Sequence, residues 1–117
     1  MKKIQFGAEI MVPVKNSGGY MILNYYLLES PVGFGYSELK SYGIEILRTD
    51  RYPGCQDMSE CKQIEGIFFD VEEAISFIAK IKKENIKPTD LAIRLEEYIK
   101  EKVRIQRENS VYNKTVG

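Results

Sequence analysis

The apolar positions change period between Gly66 and Ile99, and that change organises the chain. Gln63 to Phe69 (QIEGIFF) reads as a strand. Asp70 then stands where an N-cap belongs, with Glu73 three residues later. That is the spacing of a capping box, with Asp in place of the usual Ser or Thr. Glu72 and Glu73 also set negative charge against the positive end of a helix dipole. Val71, Ala74, Ile75, Ile78 and Ile81 follow at three-and-four spacing, which predicts one apolar helix face. Lys80, Lys82 and Lys83 fill the last turn. Asn85 suits the left-handed residue that ends a helix. Pro88 suits the first turn of a second helix, with Lys87 or Thr89 as its cap. Leu91, Leu95, Tyr98, Ile99 and Val103 carry the second stripe.

Two amphipathic helices need a surface to bury against, and the first seventy residues supply β patterning. Residues 3–14 are rich in β-formers, with Gly7 at a bulge and Pro13 at a strand end. Asn16-Ser17-Gly18-Gly19 is a turn signal. Tyr20 to Glu29 (YMILNYYLLE) is the strongest strand and is apolar on both faces. These two strands are expected to form an antiparallel hairpin. Ser30 to Gly35 breaks the pattern, and Gly33-x-Gly35 is turn geometry rather than a phosphate loop. A third strand runs within Tyr36 to Arg48, strongest at Tyr42 to Leu47. Thr49 to Lys62 reads as an irregular loop. The element order β-β-β-β-α-α predicts an α+β fold: an antiparallel four-stranded meander with two C-terminal helices packed on one face. Residues 1–106 form a single domain and 107–117 a flexible tail. The two apolar faces of the second strand leave one sheet face to be covered by a loop or by a partner.

The 117 residues suit one domain, and 44% are hydrophobic, enough for a sizeable core. The 17 basic and 17 acidic residues cancel, which argues against a generic polyanion binder. The charge is divided along the chain. Residues 1–79 hold seven bases and eleven acids, and residues 80–117 hold ten bases and six acids. Such a division could steer partners or favour self-association, although solvated helices are commonly rich in Lys and Arg. No run is long enough to span a membrane. Gln5, Glu9 and Pro13 interrupt what would be a signal-peptide core, so a cytoplasmic location is expected.

The chain has no histidine, which removes the commonest general base and histidine metal ligation. No catalytic residue, cofactor or metal site is expected. Cys55 and Cys61 are candidates for a redox switch, or for a metal site with Asp50, Asp57 and Glu60, against the plainer reading of two ordinary thiols. Glu72 and Glu73 are explained by helix capping. Phe68, Phe69 and Phe77 read as core. Lys80, Lys83 and Lys87, with Arg94, could face phosphate. Glu96, Glu97 and Glu101 in the second helix would repel it, so nucleic acid is the weaker reading. Asn113-Lys114-Thr115 matches a glycosylation acceptor by chance. Tyr20, Tyr25, Tyr26 and Tyr52 are candidate contact residues, because tyrosine combines apolar area with a polar tip.

Tyr25-Tyr26-Leu27-Leu28-Glu29, Tyr42-Gly43-Ile44, Gly66-Ile67 before a helix, and Asn85-Ile86-Lys87-Pro88 with Leu91 and Tyr98-Ile99 form a pattern over residues 24–100. It resembles a small domain family of unknown function from clostridia and related Firmicutes. The resemblance implies a bacterial cytosolic setting and no mechanism. The residues themselves point to a non-catalytic module that binds a protein partner or itself, with a homodimer as the self-associated form.

Overall fold

A computed structural model describes residues 1–33 and 39–116, with side chains through Asn109. The Phe34–Gly35 part of the expected turn and the start of the third strand at Tyr36 lie outside the described residues. The fold is α+β, with an antiparallel sheet followed by two helices. Among the described residues the sheet has five strands rather than the expected four: β1 (Lys2–Gln5), β2 (Ile10–Pro13), β3 (Tyr20–Pro31), β4 (Lys40–Arg51) and β5 (Met58–Phe68). The order is β1-β3-β4-β5, with β2 beside β1 on the same edge of β3.

The fifth strand arises because residues 3–14 form two strands. Gln5 pairs with Tyr26 and Ile10 with Leu23, so five steps on one side match three on the other. The surplus leaves the sheet at Gly7, whose φ is +70°, a conformation suited to glycine. Lys82 of the first helix seals the gap. Its Nζ donates to the carbonyls of Phe6 (2.9 Å) and Ala8 (2.8 Å). A Cβ on Gly7 would lie 2.3 Å from that nitrogen.

The hairpin expected across Asn16–Gly19 is present, with Pro13 opposite Tyr20 and Val14 N–H donating to Gly19 O at 2.9 Å. The long loop expected over 49–62 is replaced by strand on both sides of a turn at residues 52–57. Arg51 closes that turn with a two-nitrogen grip on Asp57 at 3.0–3.1 Å. Polar residues there hid the strands, because most of them are exposed and alternation has nothing to bury.

Helix α1 (Val71–Lys83) starts as expected: Asp70 accepts from the Glu72 N–H at 3.1 Å. The return half of a capping box is not made, because Glu73 turns to Tyr98 and Lys102. Asn85 has φ +53°. Its N–H donates to Lys82 O, and Ile86 N–H donates to Ile81 O, both at 3.0 Å. This is a Schellman ending with Ile86 as its buried apolar residue. One 3₁₀ turn (Pro88–Asp90) leads into α2 (Leu91–Val116). Lys87 occupies its N-cap without a side-chain bond. Helix α2 continues past Gln106, where the sequence places the end of the domain. At 1.5 Å per residue its 26 residues reach about 39 Å, and the chain is correspondingly elongated, at 67 × 39 × 19 Å.

The core lies between one sheet face and the helices. Met21, Leu23, Tyr25 and Leu27 of β3, Ile44 and Ile46 of β4 and Phe68 of β5 meet Ala74, Phe77, Ile78, Ile81, Ile86, Leu91 and Leu95. The stripe on α1 is therefore Ala74, Phe77, Ile78 and Ile81. Val71 and Ile75 lie on its exposed flank, contrary to the expected face. Phe69, expected in the core, is 74% exposed: β5 ends with Phe68 turned inward, and Phe69 lies in the bend that leads to the helix.

Candidate functional site

Alternation along β3 directs its even-numbered side chains away from the helices. The register gathers their neighbours: Lys3, Gln5 and Met11 on one side, Glu45, Leu47 and Thr49 on the other, then Ser59, Cys61 and Gln63. Hydrogen bonds Gln5 Nε2 to Asn24 Oδ1 (2.8 Å) and Thr49 with Ser59 (3.3 Å) belong to this surface. Ile22 and Leu28 are buried here, outside the helix-side core cluster.

A charged pair sits at the centre. Glu45 is only 5% exposed, and Lys3 Nζ donates to its Oε2 at 2.7 Å. The same ammonium lies 4.7 Å from the centroid of the Tyr26 ring, within cation–π range. The hydrogen bond that Lys3 donates to Glu45 holds its ammonium protonated above the ordinary lysine range. The Cys61 thiol is pushed up, first by partial burial and then by Glu45. It is therefore a poorer thiolate at neutral pH than a free cysteine. Met11, at the rim, is 50% exposed.

The candidate residues separate once placed. Tyr26 belongs to this face. Tyr25 does not: it is 1% exposed, and burial raises its phenol well above the ordinary tyrosine range. It is a core residue rather than a contact residue, because neighbours in a strand point to opposite faces. Tyr20 and Tyr52 are exposed near the 52–57 turn, where the Tyr52 ring packs over Gly19. Cys55 lies in that turn and Cys61 in β5, and both thiols are free. Strand rise carries Cys61 about 10 Å beyond Met58, away from the turn. Asp50 is tied to Arg48 and Asp57 to Arg51, and no group of three metal-ligating side chains forms among the described residues.

Lys80, Lys83 and Lys87 are exposed around the helix joint. Lys80 lines a cleft of about 290 Å³ with Phe77, Arg94, Tyr98 and Glu101. Arg94 is paired with Glu84 (3.2 Å) and approaches Glu97 (3.9 Å), so acids interrupt the basic stripe. Behind the cleft, Glu73 accepts from Tyr98 Oη (2.9 Å) and Lys102 Nζ (2.8 Å). Lys102 and Tyr98 lower the Glu73 pKa, while burial and Glu73 push Tyr98 up to about 12. A phenol whose folded pKa is raised stabilises fully below its ordinary value of 10, and that contribution is lost as pH rises toward 12. Glu73 acts at the other end: its contribution is present above 4.5 and lost as pH falls. Tyr98→Phe should therefore flatten the alkaline fall in melting temperature between pH 10 and 12 relative to wild type. Tyr25 keeps a slope of its own in both proteins. An identical fall in both would show that Tyr98 carries none of it.

Sequence reasoning missed Lys3 and Glu45 as a pair. The signal was there in Glu45 itself, a lone acid within the apolar run Gly43-Ile44-Glu45-Ile46-Leu47, which needs a partner once buried.

Fold and surface define a small α+β sheet domain with helices on one face and a half-apolar, charge-centred second face. The chain belongs to a family of unknown function, DUF6514, whose family model matches residues 8–101. The match runs from just before β2 into α2, so Glu45 and Tyr26 fall within it and Lys3 precedes it. No curated protein and no solved structure matches the chain. Among the described residues, no helix is long and apolar enough to cross a membrane.

Proposed function

We propose that this chain is a non-catalytic protein-interaction module whose helix-free sheet face receives a protein partner. The observation that carries the reading is the composition of that face. The half-buried Tyr26 and Leu47 and the exposed Met11 offer apolar area around the Lys3–Glu45 pair, and Met and Tyr are residue types that interfaces favour. A charged pair at the centre, its carboxylate buried and its ammonium about half-exposed, would add orientation to apolar contact. A bacterial cytosolic setting, implied by the resemblance, goes with this reading.

The alternatives have less support. Acids interleave the basic helix joint, which weakens a phosphate footprint. A raised Cys61 pKa and its separation from Cys55 weaken a thiol switch.

The test compares capture from native-host extract by three proteins. Met11→Glu places a charge on the face, and Ile93→Glu does so on the helix side. The expected result is a partner retained by wild type and Ile93→Glu but reduced at least tenfold, about 1.4 kcal/mol, by Met11→Glu. Equal capture by all three, or none above blank resin, would rule out the face.

A further inference from the structure

We propose that two copies of this chain pair antiparallel through β5, about a two-fold axis at Cys61. This rests on the interaction reading and names a second copy as one partner, using the sheet edge rather than its face.

Strand β5 is the outer strand of the sheet, so among the described residues one side of its backbone has no strand beside it. It is exposed from Met58 to Gln63, and Met58 is 73% exposed. Its pairing with β4 is regular from Met58 to Ile64, which leaves a straight edge. Such an edge is a template for another strand, and proteins commonly blunt it with charge. Here the charges alternate in sign. Glu60 and Lys62 flank Cys61, and neither is in an ion pair among the described residues.

Two antiparallel copies of one strand are related by an axis perpendicular to the sheet. Residues of equal parity then face each other, and the helices of both copies lie on the same side. With the axis at Cys61, Glu60 faces Lys62 of the second copy, and Lys62 faces its Glu60. Met58 faces Ile64, Ser59 faces Gln63, and Cys61 faces its own counterpart. Moving the axis one residue either way places Glu60 opposite Glu60 or Lys62 opposite Lys62. Of the registers centred between Met58 and Ile64, only the one at Cys61 sets both charges against opposite charge. Opposite charges directly across a ladder stabilise it and like charges destabilise it. The edge therefore accepts its own copy in one register and resists the neighbouring ones.

Sedimentation velocity over a dilution series tests this on the full chain. Wild type should show a reversible dimer. Glu60→Lys and Lys62→Glu should each weaken it at least tenfold, because each creates two like-charge contacts. The double variant Glu60→Lys/Lys62→Glu should return it to within about threefold of wild type, since complementarity is restored. With Cys55→Ser, a short bismaleimide should join two copies, each Cys61 thiol adding across one maleimide double bond. That product should disappear with Glu60→Lys. A wild-type monomer at every concentration overturns the pairing, as does a dimer indifferent to both charge reversals. Either result leaves the face reading to its own capture experiment, where Met11→Glu and not β5 is the variable.

Discussion

Truncating Tyr25 to alanine is expected to cost about 3–5 kcal/mol, and replacing it with phenylalanine about 1–3 kcal/mol. A domain of this size has on the order of 6–18 kcal/mol of stability, so the alanine variant should lose a large share. Two separate roles make the effect large. The ring is fully buried in β3, opposite Ile46 of β4, and lies within the helix-side core. Its Oη donates to Ile86 O at 2.7 Å, 61 residues away. Ile86 follows the left-handed Asn85 in the helix ending, so this bond ties the joint between the helices to the centre of the sheet. Alanine removes ring and bond together. Phenylalanine removes the bond alone and leaves a buried carbonyl without that donor. Urea unfolding of the three proteins separates the contributions, with an unchanged denaturant slope showing that the folded state is otherwise intact. A phenylalanine variant within about 0.5 kcal/mol of wild type would show that Ile86 O finds another donor.

The same residue shows what could be read from the chain alone. Helix α1 was legible because its instructions are local: Asp70 at the start, Asn85 at the end and Pro88 at the next beginning. Strand β3 was legible as a strand, but not which of its two apolar faces meets the helices. Tyr25 and Tyr26 are chemically alike and adjacent, yet one is core and the other supports a cation. Only long-range register separates them. The first half of β5 looked irregular because its residues are polar on both sides and are held mainly by the ladder to β4. The split of the first strand was hidden for a related reason. Gly7 suggested a bulge, but the lysine that fills the gap lies 76 residues from Phe6. Lys3 and Glu45 meet across 42 residues, so the central feature of the candidate face has no local signature beyond the lone acid. The tyrosines chosen by residue type fell into three environments for the same reason.

Gly43→Ala is expected to cost about 3 kcal/mol, the upper end for added volume in a packed interior, because backbone rather than a flexible side chain must yield. Tyr42 pairs with Phe68 and Ile44 with Ile64, so two steps along β4 match four along β5. The surplus residues of β5 fold over Gly43. A Cβ there would stand 2.2 Å from Ile64 O and 2.7 Å from the Glu65 Cα. Real side chains do not approach so closely, and the bulge would have to lift from β4. That motion would reach beyond the edge, because Phe68 closes the bulge and packs edge-on against Tyr98 and tilted against Phe77, at centroid distances of 5.8 and 5.5 Å. Urea unfolding should show the loss, and amide exchange should place it at Gln63–Phe68 before the centre of β3. The bulge also ends the straight part of β5 at Ile64. A lifted bulge should therefore weaken the proposed pairing with a second copy even where the fold survives. A variant as stable as wild type, with unchanged protection at Gln63–Phe68, would show that β5 accommodates the methyl group and that glycine at this position does not set the bulge.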